Sequence, residues 1–174
     1  MSSFVTFLGG VEEIGANSCF LNLEGTGVLI DAGLHPRLRK ERTFPIIYPI
    51  QNEETDYALL THAHTDHVGG LPYMLKQFPH LKLIATRATR DILEVMLQNT
   101  GKLLRLNPPE DILSSDLDYY KPGNINEITA MVEAVVYNTP YEIQGRRGDV
   151  PIKTSFMNAG HILGSAGILL NING

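Results

Sequence analysis

The chain has a single cysteine among its 174 residues, Cys19, so no disulfide can form within it and a cytosolic setting is expected. Cys19 lies in an apolar run and reads as a small core residue. No stretch approaches the ~20 apolar residues that span a bilayer. Met1-Ser2-Ser3-Phe4 has neither the basic start nor the apolar stretch of a signal peptide. Cations are few: 14 Lys and Arg against 19 Asp and Glu give a net charge of −5. Duplex affinity comes chiefly from Lys and Arg, which argues against nonspecific phosphate binding by this segment. No internal repeat, low-complexity tract or linker is visible. What remains is an ordinary apolar fraction, 43%, and a length that fits one domain with a real core.

The most informative stretch is Thr61-His62-Ala63-His64-Thr65-Asp66-His67-Val68-Gly69-Gly70. Three imidazoles and a carboxylate occupy six consecutive positions behind the apolar run 57–60. On the end of a strand, residues two apart project from the same face, so His62 and His64 share one. Asp66 and His67 follow where the backbone must turn and can address a second spot a few ångströms away. Neutral imidazole and carboxylate ligate Zn²⁺ and similar divalent ions, whereas a structural zinc site more often uses cysteine. The run reads as half of a two-metal hydrolytic centre.

H-x-H-x-D-H followed by Gly-Gly resembles the signature of the metallo-β-lactamase fold superfamily. Val28-Leu29-Ile30-Asp31-Ala32-Gly33 resembles its first motif, a strand ending in a buttressing aspartate. Asn158-Ala159-Gly160-His161-Ile162-Leu163-Gly164-Ser165-Ala166 resembles the third, whose lone histidine completes the first metal site. Leu8-Gly9-Gly10, with Glu13-Ile14-Gly15 and Asn17-Ser18-Cys19, is similar to the glycine-rich start of the β-CASP nucleases. The segment from Asp116 to Tyr141 and the Ala-Gly-His-Ile-Leu-Gly-Ser-Ala string resemble the same group, which cuts RNA or DNA.

The resemblance implies an αββα sandwich, in α/β (α+β) terms, with the metal site at the rim of the sheets. This chain is expected to supply the first sheet and only the start of the second. It also implies two divalent metal ions, zinc or manganese. His62, His64 and His161 would hold the first, and Asp66 and His67 would begin the second. Asp66 would manage the proton of the attacking water, and Asp31 would orient a ligand imidazole, as ligating histidines usually require. Water held by a three-histidine site reaches a pKa near ~7, which suits attack on phosphorus.

In the family, a further aspartate and a later histidine complete the second site beyond the third motif. No histidine follows His161, and Asp149 precedes it. The expectation is therefore that residues 1–174 are the N-terminal part of a metallo-β-lactamase domain. The β-CASP insertion and the C-terminal part would be absent, with the second metal site incomplete. The expected function is a metal-dependent phosphodiester hydrolase, an RNA-cleaving nuclease whose isolated front half is weak or inactive. RNA, or single-stranded DNA, would be engaged through the absent regions. The alternatives are a thioester or lactone hydrolase of the same fold and a non-catalytic assembly subunit. An uncovered apolar sheet face points to a homo-oligomer or a partner chain, or to residues 107–120 folding over it.

Strands are expected at 4–8, 18–23, 27–30, 57–60, 81–85, 152–158 and 168–172 from apolar runs and alternation, with a hairpin turn at Glu24-Gly25-Thr26-Gly27. Residues 35–52, with Pro36, Pro45 and Pro49, read as a loop. A helix starts at Leu71-Pro72. Thr86 caps another over 87–100 with Gly101 as its stop, and Asn124 with Glu127 reads as the capping pair of a third reaching about Val135. Arg37, Arg39, Lys40 and Arg42 read as a solvated loop or a phosphate-contacting rim. His35 and His80 read as non-ligands, and Tyr119 and Tyr120 as core packing in preference to base stacking.

Overall fold

The structure, a computed structural model, describes residues 3–11, 14–35, 43–110 and 112–172. The Arg37–Arg42 cluster and Glu13 fall outside these residues. The chain opens as a meander of β1 (Phe4–Gly9), β2 (Ser18–Leu23) and β3 (Thr26–Ile30). Its second turn is Glu24-Gly25, both with positive φ (48° and 86°), as two-residue hairpins need to match strand twist. Thr26 therefore already belongs to β3, paired with Leu23, one residue earlier than the sequence indicates.

From there the connections become crossovers. Strands β4 (Tyr57–Leu60), β5 (Lys82–Thr86) and β6 (Glu133–Val135) add in parallel, giving a six-stranded sheet in chain order. Helix α1 (Thr65–Val68) is one turn, and α2 (Leu71–Gln77) starts with Pro72 in its first turn. Helix α3 (Arg87–Leu106) and helix α4 (Pro122–Met131) follow. Strands β7 (Tyr141–Ile143), β8 (Ile152–Asn158) and β9 (Ala166–Ile172) form a separate antiparallel sheet in that order.

Period-two alternation divides the core in two. Phe20, Leu29, Ala58, Leu60, Leu83 and Ala85 face the helices and meet Leu71, Met74, Leu93, Leu97, Ile125 and Ile128. Their neighbours Val28, Leu59 and Ile84 face the small sheet and meet Ile143, Ile152 and Phe156. The layers are helices, six strands and three strands, so the mixed α/β architecture expected from the sequence is present. The small sheet leaves Val5 and Phe7 of β1 53% and 64% exposed, and Leu169 on its own outer side 51% exposed. No helix among the described residues is long and apolar enough to cross a membrane.

Several local expectations are corrected. Helix α3 does not stop at Gly101 but continues to Leu106, because Leu93, Leu97 and Leu104 prolong its buried stripe. Gly101 instead allows a close approach: a Cβ there would lie 2.9 Å from both Cβ and O of Tyr120. Gly101→Ala should therefore lower stability in a denaturant melt. The ~1 kcal/mol gained in helix propensity is outweighed by the ~1–3 kcal/mol that overpacking costs.

Helix α4 begins at Pro122 with Lys121 as N-cap and no side-chain cap bond. Asn124 Nδ2 donates to Asp118 O (2.8 Å), so Asn124 and Glu127 are not its capping pair. The helix ends at Met131, and the remaining expected turn is strand β6. Residues 112–120 do not cover the small sheet. Leu117, Tyr119 and Tyr120 pack with Leu34, Phe44 and Leu104, and Tyr120 donates its hydroxyl to Gly69 O (2.7 Å). Both tyrosines are thus packing residues.

Candidate metal centre

The rim of the sheets where β4 ends and β9 begins gathers the chemistry. Ala166 N donates to Thr61 O (2.8 Å), which joins the end of β4 to the start of β9. The loop carrying His161 is thereby set over His62 and His64. The ligating atoms of His62, His64 and His161 all lie within 4.8 Å of one another. His64 Nδ1 is 3.2 Å from His62 Nε2 and 3.2 Å from His161 Nε2. Nitrogens at two corners of a tetrahedron with Zn–N of 2.0–2.1 Å stand about 3.3–3.4 Å apart. The two distances from His64 are close to that spacing.

Asp66 and His67 lie beside this trio. His67 Nε2 is 3.7 Å from Asp66 Oδ2, and the His67 ring centroid is 4.0 Å from that of His62. Both residues ride on α1, whose turn is sewn to the segment after β3 and to the residue before β2. Ala32 N donates to His67 O (2.7 Å) and Asn17 N donates to Asp66 O (3.0 Å). The approach is so close that a Cβ on Gly33 would fall 1.8 Å from Asp66 O.

Asp31 sits beneath both groups, buried and in the left-handed region at φ 59°. Its Oδ1 accepts from Thr61 N (2.7 Å), and its Oδ2 accepts from Thr61 Oγ1 (2.6 Å) and His67 Nδ1 (2.7 Å). Thr61 spends its only hydroxyl proton on Asp31, so at 3.0 Å from His62 Nδ1 its oxygen accepts from that ring. These bonds assign the proton of both rings to Nδ1. Nε2 is left as the acceptor nitrogen of each ring, facing His64 Nδ1 in His62 and Asn17 Nδ2 in His67. One carboxylate thus sets the tautomer of a ring in each group.

Electrostatics separates the two rings. Burial first, then the neighbouring His67, His64 and His161, hold His62 down to about 4. Burial is also the largest single influence on His67 and opposes its charge, but the bond to Asp31, the Asp31 charge and the Asp66 charge together outweigh it and raise the ring above the ordinary histidine value. Burial pushes the Asp31 carboxyl up, against the bonds from His67 and Thr61. In a metal-free NMR titration, His62 should therefore stay neutral through pH 5 while His67 takes up its proton at a pH above ~6.5. The reverse order would contradict this geometry.

His35 and His80 stand apart. His35 is buried, its N–H bonded to Thr43 O. His80 lines a cavity of about 260 Å³ with Asp56, Tyr57, Lys82, Gln144 and Arg146, at the edge where β4 and β5 begin. Asn17 and Thr61 were not singled out by sequence reasoning as parts of the site. Asn17 Nδ2 reaches Asp66 O (3.0 Å), Asp66 Oδ2 (3.1 Å) and His67 Nε2 (3.3 Å). Their only signal was position, Asn17 within the glycine-rich opening and Thr61 directly before the histidines.

These histidines gather with Asp31, Asp66 and His67 at one rim of the sheets, and the chain belongs to the metallo-beta-lactamase superfamily, whose family model matches residues 11–126. Among curated proteins it is similar to cleavage and polyadenylation specificity factor subunit 3-I of Arabidopsis thaliana. The two are 29% identical over 98% of this chain and 23% of the relative. It is likewise similar to endoribonuclease ysh-1 of Neurospora crassa, 29% identical over 96% of the chain and 19% of the relative. The β-CASP resemblance read in the sequence is thereby borne out. The chain spans about a fifth of the length of these relatives.

Solved structures with the same fold include a subclass B3 metallo-beta-lactamase from a soil metagenome library. Its TM-score is 0.55 at 15% identity, over 100% of this chain and 60% of that one. A B3 metallo-beta-lactamase with an active-site glutamic acid matches at TM-score 0.54 and 15% identity, over 96% and 54%.

Proposed function

We propose that this chain is the N-terminal part of a metal-dependent phosphodiester hydrolase that cleaves RNA. The observation that carries the reading is the meeting of His62, His64 and His161, their ligating atoms all within 4.8 Å of one another and His64 Nδ1 3.2 Å from each of the other two, with Asp66 and His67 alongside. Relatives named as endoribonucleases supply the substrate class. In this reading His62, His64 and His161 hold one divalent ion, zinc or manganese, and Asp66 with His67 begin a second site that this chain leaves incomplete. The metals, when bound, supply Lewis acidity and an activated water.

The chain's own residues prepare that chemistry. Asp31, through Thr61 and directly, holds the ring proton of His62 and of His67 at Nδ1, which leaves Nε2 of each as the atom that can ligate. Asp66 Oδ2, held by Asn17, is the acceptor positioned to take a proton at the rim. The β-CASP insertion and the C-terminal part of the domain belong to the longer protein, and with them the RNA-binding groove. Val5, Phe7 and Leu169 are covered by a partner chain or a second copy, and the protein works in a reducing, cytoplasmic compartment.

Purified residues 1–174 with Zn²⁺ or Mn²⁺, assayed on labelled single-stranded RNA, single-stranded DNA and a thioester, should show at most weak cleavage, confined to RNA and lost in His64→Ala. Robust RNA cleavage would overturn the incompleteness of the second site. Thioester turnover without RNA cleavage would overturn the substrate class.

A further inference from the structure

His161 is the member of the trio that the fold must import, since it stands 97 residues from His64 in the chain. Its loop between β8 and β9 has little apolar hold of its own. Asn158, Ala159, Gly160, His161 and Leu163 are all exposed, Leu163 by 74%. Within the loop, Ser165 Oγ accepts from His161 N (3.0 Å) and Ile162 N (3.2 Å), which shapes the turn but ties it to nothing else.

Beside the bonds from Ala166 N to Thr61 O (2.8 Å) and from Tyr137 Oη to Ser165 O (2.9 Å), which hold the end of the loop, the carbonyl of Gly164 ties it to α3. It accepts from Thr86 Oγ1 (2.7 Å) and Thr89 Oγ1 (2.9 Å). Both threonines are buried, 3% and 0% exposed. Thr86 is the last residue of β5 and the N-cap of α3, its oxygen accepting from Thr89 N (3.3 Å). Thr86 Oγ1 also stands 3.0 Å from Thr89 Oγ1, but its shorter contact is to Gly164 O, so each hydroxyl can give its one proton to one lone pair of the same carbonyl. The carbonyl also lies at the positive end of a 20-residue helix. Glycine is required at 164: φ is +88°, and a Cβ would lie 2.4 Å from Thr89 N.

We propose that Thr86 and Thr89 are positioning residues that hold His161 in place with His62 and His64 by clamping the Gly164 carbonyl. The inference rests on the reading of the three histidines as a metal site. Neither threonine touches a histidine, so both act only through the loop.

Thr89→Val keeps the shape and leaves the Thr86 cap but removes one of the two donors. Thr89→Ser keeps the donor. Competition with a chromophoric chelator should show zinc affinity falling about 10–100-fold in Thr89→Val, as for loss of an outer partner of a ligand, and staying within about twofold in Thr89→Ser. In the metal-free protein, amides 160–165 should exchange faster in Thr89→Val and at the wild-type rate in Thr89→Ser.

Unchanged affinity and unchanged exchange in a folded Thr89→Val protein would overturn the clamp. Should the wild-type chain bind no zinc, the metal reading fails by itself and the exchange data alone decide the clamp. Should Thr89→Val not fold, Gly164→Ala, which pushes the loop off α3, must produce the same loss and the same faster exchange; wild-type behaviour would refute the proposal.

Discussion

His64→Ala is expected to remove high-affinity metal binding while leaving the fold intact. His64 Nδ1 is the shared corner of the trio, 3.2 Å from each of the other two nitrogens. Without it, His62 and His161 are two ligands with no third. The loss in zinc affinity should exceed the ~10–100-fold that removal of a mere outer partner costs. The ring is half-buried at the start of α1, and the helix N-cap makes no side-chain bond there. Stability of the metal-free chain should accordingly move by no more than ~0.5 kcal/mol, as for substitutions away from core features. Zinc titration against a chelator checks the first part and a denaturant melt the second. Wild-type affinity in the variant would refute the assignment of His64.

Asp31→Ala is expected to be the most damaging single change to the metal-free fold. The carboxylate is 4% exposed and receives Thr61 N, Thr61 Oγ1 and His67 Nδ1. Its removal leaves three donors facing a hole, and breaking a buried charge-assisted pair costs about 3–5 kcal/mol. Alanine also tolerates the φ of 59° less well than aspartate. Asp31→Asn retains the backbone preference and the shape but puts an amide N–H where donors already point. It should fall between the two in a urea melt. The tautomers of His62 and His67 lose their common reference in both variants, which two-dimensional NMR of the ring nitrogens would report. A loss below ~1 kcal/mol in Asp31→Ala, the ordinary cost of a point mutation, would show that the carboxylate is not the keystone of the rim.

What could be read from the sequence is what depends on near neighbours. Strand β8 falls on its expected residues, and β2 likewise, because unbroken apolar or alternating runs mark them. His62 and His64 lie just past the end of β4, and a strand's period of two continued through them already gives them a common direction. Strands β6 and β7 have three residues each, too few for any periodicity to register. At Gly101 the composition favoured a helix stop, but contact with Tyr120, 19 positions away, gives the glycine another reason to be there.

The supports of the site were hidden for a similar reason. Asn17 meets Asp66 across 49 positions, and Thr86 meets Gly164 across 78. Threonine, asparagine and serine are common in turns and caps, so their type alone carried no signal. The histidines announced themselves by spacing, whereas the residues that hold them in place did so only through the fold.

The most direct test of the central claim is X-ray absorption at the zinc edge on the wild-type chain loaded with one equivalent of zinc. The account predicts a first shell containing three imidazole nitrogens at about 2.0–2.1 Å, reduced by one in His161→Ala. A shell dominated by oxygen, or one that does not change when His161 is removed, would contradict it.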